Sequence, residues 1–271
     1  MSPGRVVLLT HRGPAAELLA RELARQGLPP VLVVVEERTL NSQYGRLSRT
    51  FRGIIGDRAV NRLAQLRLPA GSKRALAWER AEQAAADAWL YSEAAARGLG
   101  RTRVDCPIIE SASLNTPACV QRIRLARPDV MLVFGTRLLR RELIAIPPKG
   151  SINMHSSLLP HDRGSMPEFW QCLRGDLTHA GITFHLITEA IDAGDVLAQI
   201  PAGCAWPINP YRLRAENLLH AVEAFPKVAA AWLNGEIEAR PQPEGPPGAR
   251  PHRMGDITVR RRMELWRRLQ P

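Results

Sequence analysis

The stretch GSINMHSSLLPHDRG, residues 150–164, carries the residue types most able to do chemistry. In a strand, alternate side chains share a face. Asn153 and His155 therefore point one way, and Ile152 and Met154 the other. A second grouping follows in IDAGD, 191–195, where Asp192 and Asp195 flank a glycine-containing turn. A side-chain amide can donate to a developing oxyanion. An imidazole can move a proton near neutral pH, and a nearby carboxylate can orient it and favour its charged form. Asn153, His155 and Asp192 together are an acyl-transfer set that needs no serine or cysteine nucleophile, provided the acceptor is an amine. Taken singly, each has a plainer reading: a hydrogen-bonded structural histidine, a strand-end amide, a solvated turn carboxylate.

The elements that must position these residues alternate. Residues 5–10 (RVVLLT) and 31–37 (VLVVVEE) read as buried parallel strands. Between them, residues 14–26 read as a helix opened by Pro14 and stopped by Gly27. This βαβ unit predicts a parallel sheet with right-handed crossovers. The alternation is interrupted at 38–100, where two long helical patterns form an insertion. It resumes with strands at 107–109, 129–135, 150–157, 181–188 and 195–201, and helices at 116–126 and 167–175. Residues 209–235 read as one long helix or a pair broken at Pro226. A Pro/Gly-rich stretch, 241–251, and a short basic helix follow. The expected architecture is α/β, a mostly parallel Rossmann-like sheet with helices on both faces. Residues 1–205 would form the main domain, carrying the 38–100 insertion. Residues 206–271 would form a helical extension, linker and basic tail. In such a sheet, ligands gather at the carboxyl ends of the strands, where Asn153 and His155 fall.

Composition sets the limits. The 271 residues suit one large domain or one with a small appendage. No apolar run approaches the roughly 20 residues of a membrane span, and MSPGRVVLLT is too short an apolar opening for a signal peptide. The expected location is cytoplasmic, with no membrane partner. Cys106, Cys119, Cys172 and Cys204 suit neither a disulfide framework nor a metal site, and no metal is expected. The net charge of +11 comes mostly from dispersed arginine. It fits a phosphate-bearing small substrate as well as nucleic acid, so nucleic acid is the disfavoured partner.

Read in order, residues 128–200 resemble the folate-dependent formyltransferases. The resemblance rests on PDVMLVFGTRLL, Asn153-Met-His155, Ser157-Leu-Leu-Pro160, Arg163-Gly164, Trp170, Gly181-Ile-Thr183 and Asp192-Ala-Gly-Asp195. It implies a formyltransferase fold and 10-formyltetrahydrofolate as formyl donor. Asn153 would polarise the formyl oxygen, His155 would be the acid/base, and Asp192 its partner. The folate pocket would involve Phe134, Gly135, Leu138, Leu139, Ser157, Ile191 and Asp195, largely through backbone groups. For Phe134 and Leu138, plain core packing is an equal alternative.

Departures from the pattern bear on the acceptor. Few residues follow Pro201, short of the extra RNA-binding domain that resembling methionyl-tRNA enzymes carry. Thr10-His11-Arg12-Gly13 stands where glycinamide ribonucleotide enzymes have a Gly-rich phosphate loop. These favour a small amine acceptor, most of all an amino-sugar nucleotide. Alternatives are hydroxyornithine-like, peptide-bound or methionyl-tRNA amines, a formyltetrahydrofolate hydrolase, and a non-catalytic folate- or RNA-binding module. A homodimer is compatible with the sequence.

Overall fold

The computed structural model describes residues 4–37 and 69–270. The first helical pattern of the 38–100 insertion, residues 43–68, therefore lies outside the described residues. Seven strands form one sheet: β1 (Val6–His11), β2 (Pro30–Glu36), β3 (Ile108–Ser111), β4 (Val130–Phe134), β5 (Ser151–His155), β6 (Gly181–Leu186) and β7 (Val196–Pro201), in the order β3-β2-β1-β4-β5-β6-β7. The first five are parallel. β6 and β7 run antiparallel to their neighbours. The segment between them, 187–195, is too short for the helical crossover a parallel pair requires.

The helices are α1 (Pro14–Arg25), α2 (Ala70–Ala96), α3 (Pro117–Ala126), α4 (Arg141–Ile144), α5 (Pro167–Arg174), α6 (Pro210–Asn234) and α7 (Val259–Leu269). Several open as their sequences dictate. Thr116 caps α3 by accepting from Cys119 N, with Pro117 next to it. Asn209 caps α6 by accepting from Arg212 N at 2.8 Å, with Pro210 following. α6 runs unbroken through Pro226 and ends at Gly235 in the left-handed region. Of the two forms expected for 209–235, the single helix is the one observed.

Strand alternation sorts the core into two layers. Val6, Leu8, Val130, Leu132, Ile152, Met154, Ile182 and Phe184 face one way, covered by apolar residues of α1, α2 and α6. Val7, Leu9, Val34, Met131 and Val133 face the other, against Cys119, Val120 and Ile123 of α3. Phe225 and Ala229 of α6 lie in the first layer with no exposure. A third cluster joins Phe169 and Cys172 of α5 to Leu213 of α6 and to Ile257 and Leu265 of the C-terminal segment. Among the described residues no helix is long and apolar enough to cross a membrane.

Candidate active site

Antiparallel pairing of β5 and β6 sets Asn153 directly opposite His185, and His155 opposite Thr183. Directly opposed residues share a face and touch. The Asn153 amide accordingly meets His185: Nδ2 lies 3.1 Å from Nε2. His185 Nδ1 lies 2.9 Å from the Leu186 carbonyl, so that nitrogen carries the hydrogen and Nε2 accepts from Asn153. No partner within the described residues takes the second Asn153 amide hydrogen.

Asp192 reaches this pair from the β6–β7 turn. Its backbone is left-handed, φ 48°. Its Oδ2 lies 3.5 Å from His155 Nδ1 and accepts from Gly164 N at 2.8 Å. Its Oδ1 lies 3.6 Å from His185 Nε2. One carboxylate therefore serves two imidazoles. His155 and His185 are buried, and the Asp192 side chain is only 15 % exposed. Burial alone would push this carboxyl up. Its interactions with the His155 and His185 rings and the hydrogen bond from Gly164 N outweigh it and hold the group well below the usual carboxylate range.

The other His155 nitrogen, Nε2, donates to the Asp162 carbonyl at 2.9 Å. Both nitrogens of this ring thus face oxygen. In this arrangement His155 acts on a third party only if the Asp162 carbonyl gives way. The loop that supplies this carbonyl is fixed from several sides. Asp162 has a left-handed backbone, φ 52°. Its carboxylate binds Arg174, Gln171 and His252. Burial opposes ionisation there, but hydrogen bonds from His252, Arg174 and Gln171 bring the pKa down to about 2. Thr183 Oγ1 donates to Ser157 O at 2.6 Å and accepts from Leu159 N and Gln199 Nε2, each at 3.0 Å.

The structure thus brings together Asn153, His155 and Asp192. Ser157 is fully buried and donates to His161 O at 2.6 Å, which makes it an internal peg of the loop. Phe134 is 2 % exposed and packs in the core, so its side chain is unavailable and only its backbone could meet a ligand. Gly135 has φ 69° and opens the loop that follows β4. Leu139 packs on the second apolar layer, while Leu138 is 67 % exposed at the loop's tip. Ile191 is half-buried beside Asp192. Asp195 is exposed, and its carbonyl accepts from Leu186 N. Among the described residues Arg163 pairs with neither Asp162 nor Asp195. It donates to Gln242 Oε1 at 2.7 Å. Arg12 pairs with Glu110.

Several residues at this site escaped sequence reasoning. His185 was legible in principle: Thr183-x-His185 repeats the alternation of Asn153-x-His155, but only the strand pairing aligns the two. Glu36 is buried at the end of β2. It accepts from Arg137 N at 2.8 Å and from Leu114 N at 3.3 Å, and so fixes the loop after β4. Gln242 and His252 lie far along the chain, in and just after a stretch that reads as linker.

Known proteins agree with this architecture. The methionyl-tRNA formyltransferase of Myxococcus xanthus is 32 % identical over 139 residues, covering 51 % of this chain and 44 % of that protein. The one from a Roseiflexus species is 34 % identical over 142 residues, 52 % of this chain and 43 % of that one. The matched part is therefore less than half the length of these curated relatives. In three dimensions, the chain resembles a sugar N-formyltransferase from a Shewanella species, with a TM-score of 0.58, 13 % identity, 98 % of this chain and 88 % of that one. It also resembles glycinamide ribonucleotide transformylase 1 of Symbiobacterium toebii, with a TM-score of 0.56, 16 % identity, 89 % and 94 %. At that identity the likeness is one of fold. The sequence profile of the formyl transferases spans residues 68–210, more than half of the chain and the whole of the Asn153–Asp192 cluster, and the chain belongs to that family.

Proposed function

We propose that the chain transfers a formyl group from 10-formyltetrahydrofolate to an amine, with Asn153, His155 and Asp192 as its catalytic residues. The observation that carries this reading is the convergence of the Asn153 amide, two imidazoles and one ionised carboxylate at the end of β5.

The formyl donor supplies an electrophilic carbon already bonded to a good nitrogen leaving group. The residues present suit such a donor. The Asn153 amide has a hydrogen to give. The loop from Gly135 to Arg140 is held at its base by Glu36 and by Asn115, which donates to Leu138 O at 2.9 Å, and it displays the exposed Leu138 beyond β4. A flat heterocycle can lie on such an apolar tip and bond to loop backbone. Gly135, Leu138, Leu139, Ile191, Asp195 and the Phe134 backbone are the groups we assign to it, with Ser157 shaping the floor.

Asn153 donates to the formyl oxygen as charge builds there. His185 holds that amide in place by accepting its other hydrogen. Asp192 balances positive charge on the His155 ring. His155 keeps a proton at Nδ1, towards Asp192, and passes one through Nε2 once that atom exchanges the Asp162 carbonyl for the reacting groups. The proton released by the acceptor amine ends on the departing folate nitrogen.

For the acceptor we favour the amine of an amino-sugar nucleotide, whose diphosphate suits an arginine-rich chain of net charge +11. The fold-level likeness to a sugar N-formyltransferase, which extends over 98 % of the chain, agrees. The sequence relatives favour a second acceptor, the amine of methionyl-tRNA. Supplying 10-formyltetrahydrofolate with amino-sugar nucleotides, hydroxylated ornithine and methionyl-tRNA decides among them, with a mass gain of one formyl group as the readout. Donor consumed with no acceptor present would indicate hydrolysis. Donor left intact with every amine would refute the proposal.

A further inference from the structure

The stretch after α6 that reads as a linker makes specific contacts with both loops of the candidate site. At its start, Arg240 pairs with Val196 of β7 through two backbone hydrogen bonds, 2.7 and 2.8 Å. Gln242 follows and uses its whole amide. Nε2 donates to Asp192 O at 3.0 Å and Gly194 O at 2.6 Å, while Oε1 accepts from Arg163 Nη2 at 2.7 Å. One side chain thus ties the Asp192 turn to the 161–166 loop. Ten residues later His252 joins that loop again. Its N donates to Arg163 O at 2.8 Å, and its O accepts from Ser165 N at 2.9 Å. Its ring stacks on Trp170 with centroids 4.5 Å apart, and Nε2 donates to Asp162 Oδ1 at 3.2 Å. Gly164 leaves room for this crossing, since a Cβ there would press on His252 N at 2.7 Å and on its carbonyl. Beyond it, Arg261 lies over Trp170 and Arg262 pairs with the buried Glu79 of α2, which anchors the far end.

Both lines of contact end on His155. Gln242 holds the turn that presents Asp192 to Nδ1. His252 holds the residue whose carbonyl occupies Nε2. We propose that residues 240–256 form a strap in which Gln242 and His252 are positioning residues that set the alignment of His155 between Asp192 and Asp162. The inference rests on the formyl-transfer reading for its catalytic consequence, but not for its geometry. Neither residue needs to touch a reacting atom. Their removal should therefore change turnover more than donor binding, because a displacement of about 1 Å in a reacting geometry can cost up to a hundredfold.

The test uses the full chain with Gln242→Leu and His252→Leu, each checked for folding by circular dichroism. The His155 imidazole nitrogens are observed by ¹⁵N-resolved NMR, assigned by their loss in His155→Gln. We expect the His155 signals to move or broaden in both variants. We also expect kcat to fall about ten- to a hundredfold in Gln242→Leu with KM for the donor within about twofold, kcat of His252→Leu to depart from wild type because the Asp162 carbonyl that Nε2 must exchange is no longer held, and His252→Gln, which keeps an N–H donor, to restore the wild-type value. Unmoved His155 signals with unchanged kcat would overturn the proposal. If either leucine variant fails to fold, His252→Gln and Gln242→Glu decide on the same readouts. The former must preserve the wild-type signals. The latter, which keeps the acceptor for Arg163 but loses both donations, must shift them. A wild-type chain that formylates no amine, in which these signals still move in the variants, would uphold the strap and sink the formyl-transfer reading.

Discussion

Asp192→Asn isolates the charge at the centre of the site while nearly preserving its shape. The amide oxygen can still accept from Gly164 N, now at 2.8 Å from Oδ2. What is lost is the negative charge 3.5 Å from His155 Nδ1 and 3.6 Å from His185 Nε2. At an effective dielectric of ~20, a unit charge pair at this separation is worth roughly 4–5 kcal/mol. If one imidazole carries its proton at the rate-limiting barrier, losing that stabilisation should lower kcat by on the order of 10³. The amide also offers N–H to a ring nitrogen, which disturbs the hydrogen placement that the carboxylate enforces, so the loss should not be smaller. The assay is single-turnover formylation of whichever amine the acceptor screen identifies, at saturating donor, below the temperature at which circular dichroism detects unfolding. A folded Asp192→Asn protein with kcat within about tenfold of wild type would refute the electrostatic role given to this carboxylate.

Three further predictions concern what holds the site. Asp162 has a folded-state pKa of about 2 against an ordinary 3.8, so its ionised form is favoured by folding. Its contribution of about 2 kcal/mol is complete above the unfolded pKa and disappears as pH falls from about 4 to about 2. Urea titrations of wild type and Asp162→Asn should therefore differ at pH 6 by about this amount and converge near pH 2; a difference independent of pH would contradict the assignment. Gly164→Ala should cost about 2–4 kcal/mol and detach the strap, since its φ of 94° disfavours a side chain and the new Cβ meets the His252 backbone. Hydrogen exchange at Ser165 N and His252 N should then accelerate, and full protection of both would count against the crossing. Thr183→Val removes the hydroxyl shared by Ser157 O, Leu159 N and Gln199 Nε2. Leaving buried backbone groups unpaired should cost about 1–3 kcal/mol in chemical denaturation, and a neutral effect would mean the loop repacks without that hydroxyl.

The sheet was readable because its strands are continuous apolar runs separated by glycine, proline and capping residues. β1, β2 and β4 fall within a residue or two of their expected places. The direction of β6 was not readable, since GITFHL is as apolar as a parallel core strand and only the short return through 187–195 forces the antiparallel turn. That one fact decides the site. It sets His185 against Asn153 and curls Asp192 back towards both histidines. Asn153 and His155 could be placed on one face from alternation alone, whereas Gln242 and His252 could not be placed at all. Their partners are 48 to 90 residues away, and nothing in a Pro/Gly-rich composition indicates where the chain passes. The glycines of the Arg163-Gly164 and Ala193-Gly194 pairs likewise look like ordinary turn residues. In the fold, each is a point of close approach, Gly164 to the His252 backbone and Gly194 to the Leu186 carbonyl.

The site divides its parts between stiff and bent backbone. Asn153, His155 and His185 sit on paired strands, where the ladder fixes them. Asp162 and Asp192 sit on left-handed residues, φ 52° and 48°, conformations that a non-glycine residue holds only where its surroundings over-determine it. For Asp192 the surroundings are two imidazoles, the Gly164 N–H and Gln242. For Asp162 they are Arg174, Gln171 and His252. Two members of those sets come from residues 240–256, so the C-terminal segment belongs to the physical definition of the site. A version of this chain ending at Gly235 would keep every residue of the Asn153–His155–Asp192 cluster. It would lose the Gln242 hydrogen bonds to Asp192 O and Gly194 O, and the contact from His252 to the Asp162 carboxylate. The imidazole of His155 would then sit between two loops free to relax, and the sheet alone would not restore its alignment.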